Sequence, residues 1–196
     1  MTSSSPEYST GFAGLIERLA AALEDLSIHY MIIGGQAVLL YGEPRLTKDI
    51  DVTISLDSGQ LNVLLPIIDM LHVELITEKV EDFVKRTSVM PVRDAKTGIR
   101  IDFIFSFTSY ERQAIGHARK LRIGNTDVAF ATVEDLIIHK LFSGRPRDIE
   151  DVKSILRKNR DHDTDYVCKW LKDFDESLRM NTLGKYRQIL SEEDDA

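Results

Sequence analysis

The segment from Asp49 to Leu56 alternates polar and apolar side chains, and this period of two restricts the fold more than any other feature. Asp49 and Asp51 fall on one side of the pattern, and the apolar members fall on the other: Ile50, Val52 and Ile54. Successive side chains of a strand point to opposite faces of a sheet. The pattern therefore predicts a strand that is buried on one face and carries two neighbouring carboxylates on the other.

The residues from Ile99 to Phe105 repeat this alternation around a third carboxylate, Asp102. A strand over residues 87–92 and a turn over residues 94–98 precede it. Further upstream, the apolar run at residues 30–33 stops at Gly34-Gly35, which predicts a buried strand ending in a tight turn before a short helix at residues 36–41.

The order of the predicted elements divides the chain into a mixed α/β half and a helical half. Residues 11–131 combine strands and helices, including one helix over residues 58–71, and residues 132–190 are helical in pattern. Residues 1–10 are predicted to be a flexible tail, and residues 191–196 a frayed acidic tail. The sequence therefore predicts an α/β fold (α+β) followed by a C-terminal helical part.

Composition limits the environment and the partners. The chain has 196 residues, a single cysteine (Cys168) and a net charge of −7. One cysteine cannot form an internal disulfide, so we expect a cytoplasmic protein. No apolar run approaches the length of a membrane span, so we expect no membrane partner. The negative charge argues against indiscriminate binding of nucleic acid, although it does not exclude a local basic groove.

The glycine pair and the three carboxylates together indicate phosphate chemistry. Carboxylates at a period of two, joined by a third from another strand, offer the oxygen ligands that Mg²⁺ prefers. A glycine pair before a helix lets backbone N–H groups approach phosphate, and the helix N-terminus favours anions. These parts match phosphoryl transfer by two metal ions.

This arrangement resembles the DNA polymerase β-like nucleotidyltransferase superfamily, in its small bacterial form. There an apolar residue and Gly-Gly precede Asp-x-Asp, with a third acid on a later strand; here thirteen residues separate Gly35 from Asp49. The resemblance implies a mixed twisted sheet with helices mainly on one face. It also implies an NTP as substrate, two Mg²⁺ ions (or Mn²⁺) bound by Asp49, Asp51 and Asp102, and Asp102 as a base. The segment from Arg45 to Thr47 looks like that of the small bacterial members, so we expect both residues to contact the nucleotide with Gly34 and Gly35.

The helix pair from Val133 onwards resembles abortive-infection (AbiEii-like) type IV toxin nucleotidyltransferases. The residues that carry this second likeness are Lys140, Arg145, Arg147, Asp148 and Asp151. It implies that Lys140 contacts phosphate, that the two arginines support it, and that Asp148 orients a basic group or the acceptor. It also implies a toxin-type enzyme that has a cognate antitoxin as partner.

Other interpretations account for the same residues. Each acid alone fits a solvated strand face, Lys140 alone fits a buried helix from which its ammonium reaches solvent, and Asp148 alone fits a helix start. Asp49-Ile-Asp51-Val-Thr53 also fits haloacid dehalogenase-type phosphatases, where the acids end an apolar strand. A nucleotide-binding regulator without turnover is a further alternative. The acceptor stays open between a transfer RNA, a protein and a small molecule, and the basic stretch 112–122 would suit RNA.

Overall fold

The computed structural model describes residues 11–106 and 108–194. Tertiary contacts group them into two units: residues 11–32 with 48–130, and residues 33–47 with 131–194. The sequence predicted a division near residue 131, and the contacts also assign residues 33–47 to the helical unit. The expected tail at residues 1–10 lies outside the described residues. Within the described part, no helix is long and apolar enough to cross a bilayer.

The strands and helices follow the predicted order, with small shifts at their ends. The strands are β1 (Tyr30–Ile33), β2 (Asp49–Ile54), β3 (Val73–Leu75), β4 (Val89–Asp94), β5 (Arg100–Phe105), β6 (Arg119–Ile123) and β7 (Thr126–Phe130). The helices are α1 (Phe12–Asp25), α2 (Gly34–Tyr41), α3 (Leu61–Leu64), α4 (Ile67–Leu71), α5 (Val80–Thr87), α6 (Ser109–His117), α7 (Val133–Ser143), α8 (Pro146–Lys158), α9 (Thr164–Leu178) and α10 (Thr182–Asp194).

The strands form one mixed seven-stranded sheet in the order β3-β4-β5-β2-β1-β7-β6. The pairs β2–β5 and β1–β7 are parallel, whereas β3–β4, β4–β5 and β6–β7 are antiparallel. The predicted mixed α/β core is therefore confirmed. The apolar residues that alternate with the acids in β2 and β5 are fully buried: Ile50, Val52, Ile54, Ile101, Phe103 and Phe105. On the face of the acids, Ile104 is half-buried and Thr53 is buried.

The single helix predicted over residues 58–71 is wrong. A 3-10 turn (Ser58–Gln60) leads into α3, and α4 follows after Pro66. Proline lacks an N–H and clashes with the preceding turn, so it ends the first helix instead of continuing it. The N-cap is Asp57 and not Ser58: its side chain accepts from the Gly59 N–H, and the Gln60 side chain bonds back to the Asp57 N–H.

A buried ion pair fixes the β4–β5 hairpin. Asp94 is 1% exposed, and its Oδ1 accepts from the Arg18 guanidinium on α1 at 2.6 Å. Its Oδ2 accepts from the backbone N–H and the hydroxyl of Thr97. Burial opposes ionisation of this carboxyl, but the Thr97 and Arg18 hydrogen bonds outweigh it and hold the Asp94 pKa below its usual value.

The helical unit follows ordinary capping rules. Thr132 accepts from the Asp135 N–H at the start of α7, Gly144 ends that helix with φ +64°, and Pro146 is the first residue of α8. Residues 191–194 of the predicted acidic tail belong to α10, which continues to Asp194. Glu193 is 4% exposed and pairs with the Arg157 guanidinium, which anchors this last turn.

Candidate active site

The parallel pairing of β2 with β5 brings two of the three candidate acids side by side. Asp51 stands opposite Asp102 in the register, and Asp49 stands opposite Arg100. Asp49 and Asp51 are two residues apart, so they share a face of the sheet. All three carboxylates are half-buried, while their strand neighbours are fully buried. We call Asp49, Asp51, Asp102 and Arg100 the acidic face.

Arg100 is the counter-ion of this face. Its Nε donates to Asp102 Oδ1 at 2.7 Å. The hydrogen bond to Asp102 raises the Arg100 pKa, and the charges of Asp102, Asp49 and Asp51 act in the same direction. In residues 11–106 and 108–194, no three His, Cys, Asp or Glu side chains are arranged closely enough to hold a metal ion. The register aligns the acids, and the ion pair with Arg100 occupies one of them.

The acids sit at the start of their strand. Asp49 is the first residue of β2 and Asp51 the third. In haloacid dehalogenase-type phosphatases the corresponding acids end a buried apolar strand. Their position here is the opposite, which argues against the phosphatase interpretation.

Residues 45–47 fold against the first turn of α2, within the second unit. Gly34 has φ +64°, a conformation that glycine adopts without the strain a Cβ would cause. A Cβ on Gly35 would overlap the Thr47 methyl group and lie 3.0 Å from Thr47 Cβ. The Gln36 amide donates to Thr47 Oγ1 at 2.6 Å. Four predicted nucleotide contacts, the two glycines with Arg45 and Thr47, therefore lie together at the start of α2, which carries no side-chain cap.

Lys140 lies in a buried ionic network of the same unit. Its Nζ donates to Asp148 Oδ1 at 2.7 Å and to Asp151 Oδ2 at 2.8 Å, and its side chain is only 8% exposed. Arg45 makes a bidentate pair with Asp151, at 2.8 and 2.9 Å. Arg145 is 80% exposed and lies 3.6 Å from Asp148 Oδ2. We call Lys140, Asp148, Asp151, Arg45 and Arg145 the ionic network.

The contacts of Asp148 also affect the pKa of its carboxyl group. Burial opposes ionisation of Asp148, but the hydrogen bonds from Lys140 and Ser143 and the charges of Lys140 and Arg145 hold its pKa below the usual value. Lys140 thus has two carboxylate acceptors in place. Arg147, named by the same resemblance, is exposed.

The sequence interpretation missed two features of these clusters. It gave Arg100 no role, although an arginine two residues before a strand carboxylate is positioned to pair with it. It named Asp151 only as part of the second likeness, whereas Asp151 accepts from both Arg45 and Lys140. The Arg45–Asp151 pair joins residues 106 positions apart, so no local pattern could have indicated it.

A cleft of about 1030 Å³ lies in the first unit and is lined in part by the basic stretch of residues 112–122. Its charged lining is Glu24, Arg112, Lys120, Arg122 and Asp127. Arg122 pairs with Asp127 at 3.1 Å. Ser55 also lines it and follows the last residue of β2, so the cleft lies at the other end of that strand from Asp49.

Comparison with known proteins bears on the fold of the chain. The chain is similar in structure to an antigenic nucleotidyltransferase-like protein from Paracoccidioides brasiliensis, with a TM-score of 0.54 and 18% identity over 93% of this chain and 95% of the other. It is also similar to the antibiotic-resistance factor ANT(2'')-Ia, with a TM-score of 0.53 and 18% identity over 94% of this chain and 97% of the other. A second structure of ANT(2'')-Ia, in complex with adenylyl-2''-tobramycin, gives a TM-score of 0.50 at 16% identity, over 93% and 99% of the two chains.

These likenesses confirm the predicted nucleotidyltransferase-type fold. A search of curated protein sequences finds no match. Residues 13–174 match the family described as "nucleotidyl transferase of unknown function (DUF2204)", which covers most of the chain. The chain therefore belongs to this family of nucleotidyl transferases, and it is an enzyme of that class.

Proposed function

We propose that the protein moves a nucleoside monophosphate from an NTP to the hydroxyl of an acceptor, with divalent cations bound by Asp49, Asp51 and Asp102. The family membership supports the transfer itself. The observation that carries the metal role is the register of β2 and β5, which aligns Asp51 with Asp102 on the face that also bears Asp49.

The acidic face has the donor chemistry for magnesium. Carboxylate oxygens are hard ligands, and Mg²⁺ is usually bound by one or two protein carboxylates together with waters and substrate phosphates. A complete cage of protein ligands is therefore not needed before the nucleotide arrives. We propose Mg²⁺ as the natural ion, with Mn²⁺ as a substitute and two ions as the working number, by analogy with two-metal phosphoryl transfer.

The proposed reaction is an in-line displacement at the α-phosphorus. The acceptor oxygen forms a bond to that phosphorus, the bond to the oxygen that bridges to the β-phosphate breaks, and pyrophosphate leaves. Asp102 takes the proton of the acceptor hydroxyl as general base. Bound cations would supply charge neutralisation to the attacking and leaving oxygens.

Phosphate binding is assigned to the start of α2. Its first N–H groups have no side-chain cap, and the end of a helix with free N–H groups attracts anions. The proposed phosphate contacts are the N–H groups of Gly34 and Gly35, with Thr47 and the Arg45 side chain beside them. The resemblance to AbiEii-like enzymes adds Lys140, Arg145 and Asp148 to the proposed nucleotide contacts. The hydrogen bonds of Lys140 favour a role in holding Asp151 in place, and Asp151 in turn pairs with Arg45.

For the acceptor we propose a small hydroxyl-bearing molecule in preference to RNA. The net charge of −7 and the acidic face suit a cationic molecule better than a polyanion. The structural relative with adenylyl-2''-tobramycin bound offers a parallel of this kind. A toxin role with a cognate antitoxin remains a proposal that rests on the AbiEii-like helix pair alone.

The test joins nucleotide binding to product formation. Purified protein is incubated with each labelled NTP, Mg²⁺ or Mn²⁺ and a lysate split into small-molecule, RNA and protein fractions; labelled products identify the acceptor and released pyrophosphate gives the rate. We expect Asp49→Asn with Asp51→Asn to keep the fold and lose Mg²⁺-dependent NTP binding, while Asp127→Asn, an exposed acid on β7, binds as the wild type does. Unchanged Mg²⁺-dependent affinity in the double variant would refute the metal role.

A further inference from the structure

A guanidinium group stands among the three carboxylates of the acidic face. Arg100 lies opposite Asp49 in the parallel register and two residues before Asp102 on the same face. Its Nε is 2.7 Å from Asp102 Oδ1, and its side chain is 45% exposed against 16% for Asp102. The face therefore contains three negative charges and one positive charge.

The positive charge offsets a repulsion that the strand geometry creates. Neighbouring strands lie about 4.8 Å apart, so ionised carboxylates aligned across them repel each other. A divalent cation bound by the same oxygens would offset the same repulsion. A guanidinium and a metal ion at the same Asp102 carboxylate repel each other, so the two cations compete for it.

We propose that Arg100 is a positioning residue that holds Asp102 in the metal-free protein and competes with the divalent cation for that carboxylate. The inference rests on the proposed function, because it requires the acidic face to be the metal site. Its consequence is that a bare cation would bind weakly at Asp102, while the phosphates of an NTP held at Asp49 and Asp51 would supply further ligands to a second cation there and allow it to displace Arg100. Metal and nucleotide then bind with positive coupling.

The exposure of Arg100 is consistent with this exchange. A side chain that is nearly half exposed can leave its partner and be solvated at low cost, whereas the network cation Lys140, 8% exposed, cannot. The same exposure argues against a purely structural role, because exposed ion pairs contribute little to stability.

The experiment is a direct titration of the wild type and its variants with Mn²⁺ in the absence of nucleotide, with free Mn²⁺ followed by electron paramagnetic resonance. We expect Arg100→Gln to bind Mn²⁺ roughly tenfold more tightly, the order of effect of removing a unit charge about 5 Å from a divalent ion in a high dielectric. Arg100→Lys keeps the charge and should stay within about threefold of the wild type.

Arg122→Gln is the matched control. It removes the same charge and also breaks an arginine–aspartate pair, but it does so on β6, at the sheet edge four strands from β5. We expect its Mn²⁺ affinity to equal that of the wild type. A second arm repeats the titrations with an NTP present, where the advantage of Arg100→Gln should shrink.

The outcomes separate this inference from the proposed function. If Arg100→Gln binds Mn²⁺ as the wild type does, or more weakly, Arg100 does not compete for Asp102 and the inference fails. Asp51→Asn in the same titration tests the site itself. If Asp51→Asn binds Mn²⁺ normally, the acidic face is not the metal site and the proposed function fails; if it loses binding while Arg100→Gln is unchanged, only the role of Arg100 fails.

Discussion

Replacing Lys140 by methionine tests whether this residue is part of the framework or a ligand of the nucleotide. Its ammonium donates to Asp148 at 2.7 Å and to Asp151 at 2.8 Å, and all three side chains are at most 10% exposed. Lys140→Met fills the same space but leaves two buried carboxylates with one cationic partner fewer. Removing one member of a buried ion pair typically costs about 3–5 kcal/mol, because the charge left behind is not compensated.

The structure also predicts which carboxylate bears the cost. Asp151 retains the bidentate pair with Arg45, whereas Asp148 retains the hydrogen bond from Ser143 and the charge of Arg145, which is 3.6 Å away and 80% exposed. Adding Asp148→Asn to Lys140→Met should therefore recover about 2 kcal/mol, a coupling typical of residues in one network. Asp151→Asn should recover less.

Acidification gives an independent signature of the same event. In the wild type the Asp148 pKa is lowered, so its contribution to stability is present above its unfolded pKa and is lost as the pH falls through its folded pKa. Without Lys140, burial would dominate and raise the folded pKa above the unfolded one. Protonation would then favour the folded variant, so the loss of stability caused by Lys140→Met should shrink as the pH falls towards 4.

Urea unfolding followed by circular dichroism, at several pH values, measures both effects. Lys172→Met is the control, because its pair with Glu176 is exposed on α9 and exposed pairs contribute at most about 1 kcal/mol. A loss below about 1 kcal/mol for Lys140→Met, combined with much weaker NTP binding, would refute the framework role and support a direct phosphate contact.

Three further predictions address other parts of the structure. Asp94→Asn should lower the free energy of unfolding by about 2 kcal/mol at pH 7. The difference from the wild type should disappear as the pH falls below about 4, because Asp94, whose pKa is lowered, stabilises the fold only while it is ionised. Asp127→Asn serves as the exposed control. Gly35→Ala should destabilise the protein by about 1–3 kcal/mol through overlap with Thr47, and Thr47→Ser, which removes the methyl group, should relieve most of that loss in thermal unfolding. Asp102→Asn should leave Mg²⁺-NTP binding near normal but lower the rate of pyrophosphate release more than about 100-fold, at least ~2.7 kcal/mol of transition-state stabilisation; a rate within about threefold of the wild type would remove Asp102 from the mechanism.

Local sequence patterns predicted where strands form, but they did not predict which strands pair or in what register. The alternation in β2 and β5 depends only on each segment, and both strands form as predicted. The register that puts Asp51 beside Asp102 joins residues far apart in the chain, so the sequence could only suggest it through a family resemblance. Pro66 lies within the helical pattern of residues 58–71, and its missing N–H and ring clash outweigh that pattern.

The presence of Gly35 before a helix does not by itself show why glycine is required at that position. A glycine before a helix fits close approach to phosphate, and it fits close packing of a side chain equally well. In the structure Thr47 packs where a Gly35 Cβ would stand, which is sufficient to explain the glycine. A phosphate role for Gly35 therefore needs evidence beyond its being glycine, and the Thr47→Ser background provides it, because there Gly35→Ala can be assayed for NTP binding with the overlap relieved.

Two clusters of acids in this chain differ less in composition than in how firmly their counter-ions are held. In the ionic network, Asp148 and Asp151 share a buried ammonium, and Arg45 makes two further bonds to Asp151. Expelling those cations would leave buried charge uncompensated, so a metal ion has no accessible route to these carboxylates. On the acidic face the half-buried Asp102 is hydrogen-bonded to the Arg100 guanidinium, which is 45% exposed and can be solvated when it leaves. Because the second arrangement lets one cation replace another at lower cost, we propose the acids on β2 and β5, and not those of the ionic network, as the metal ligands.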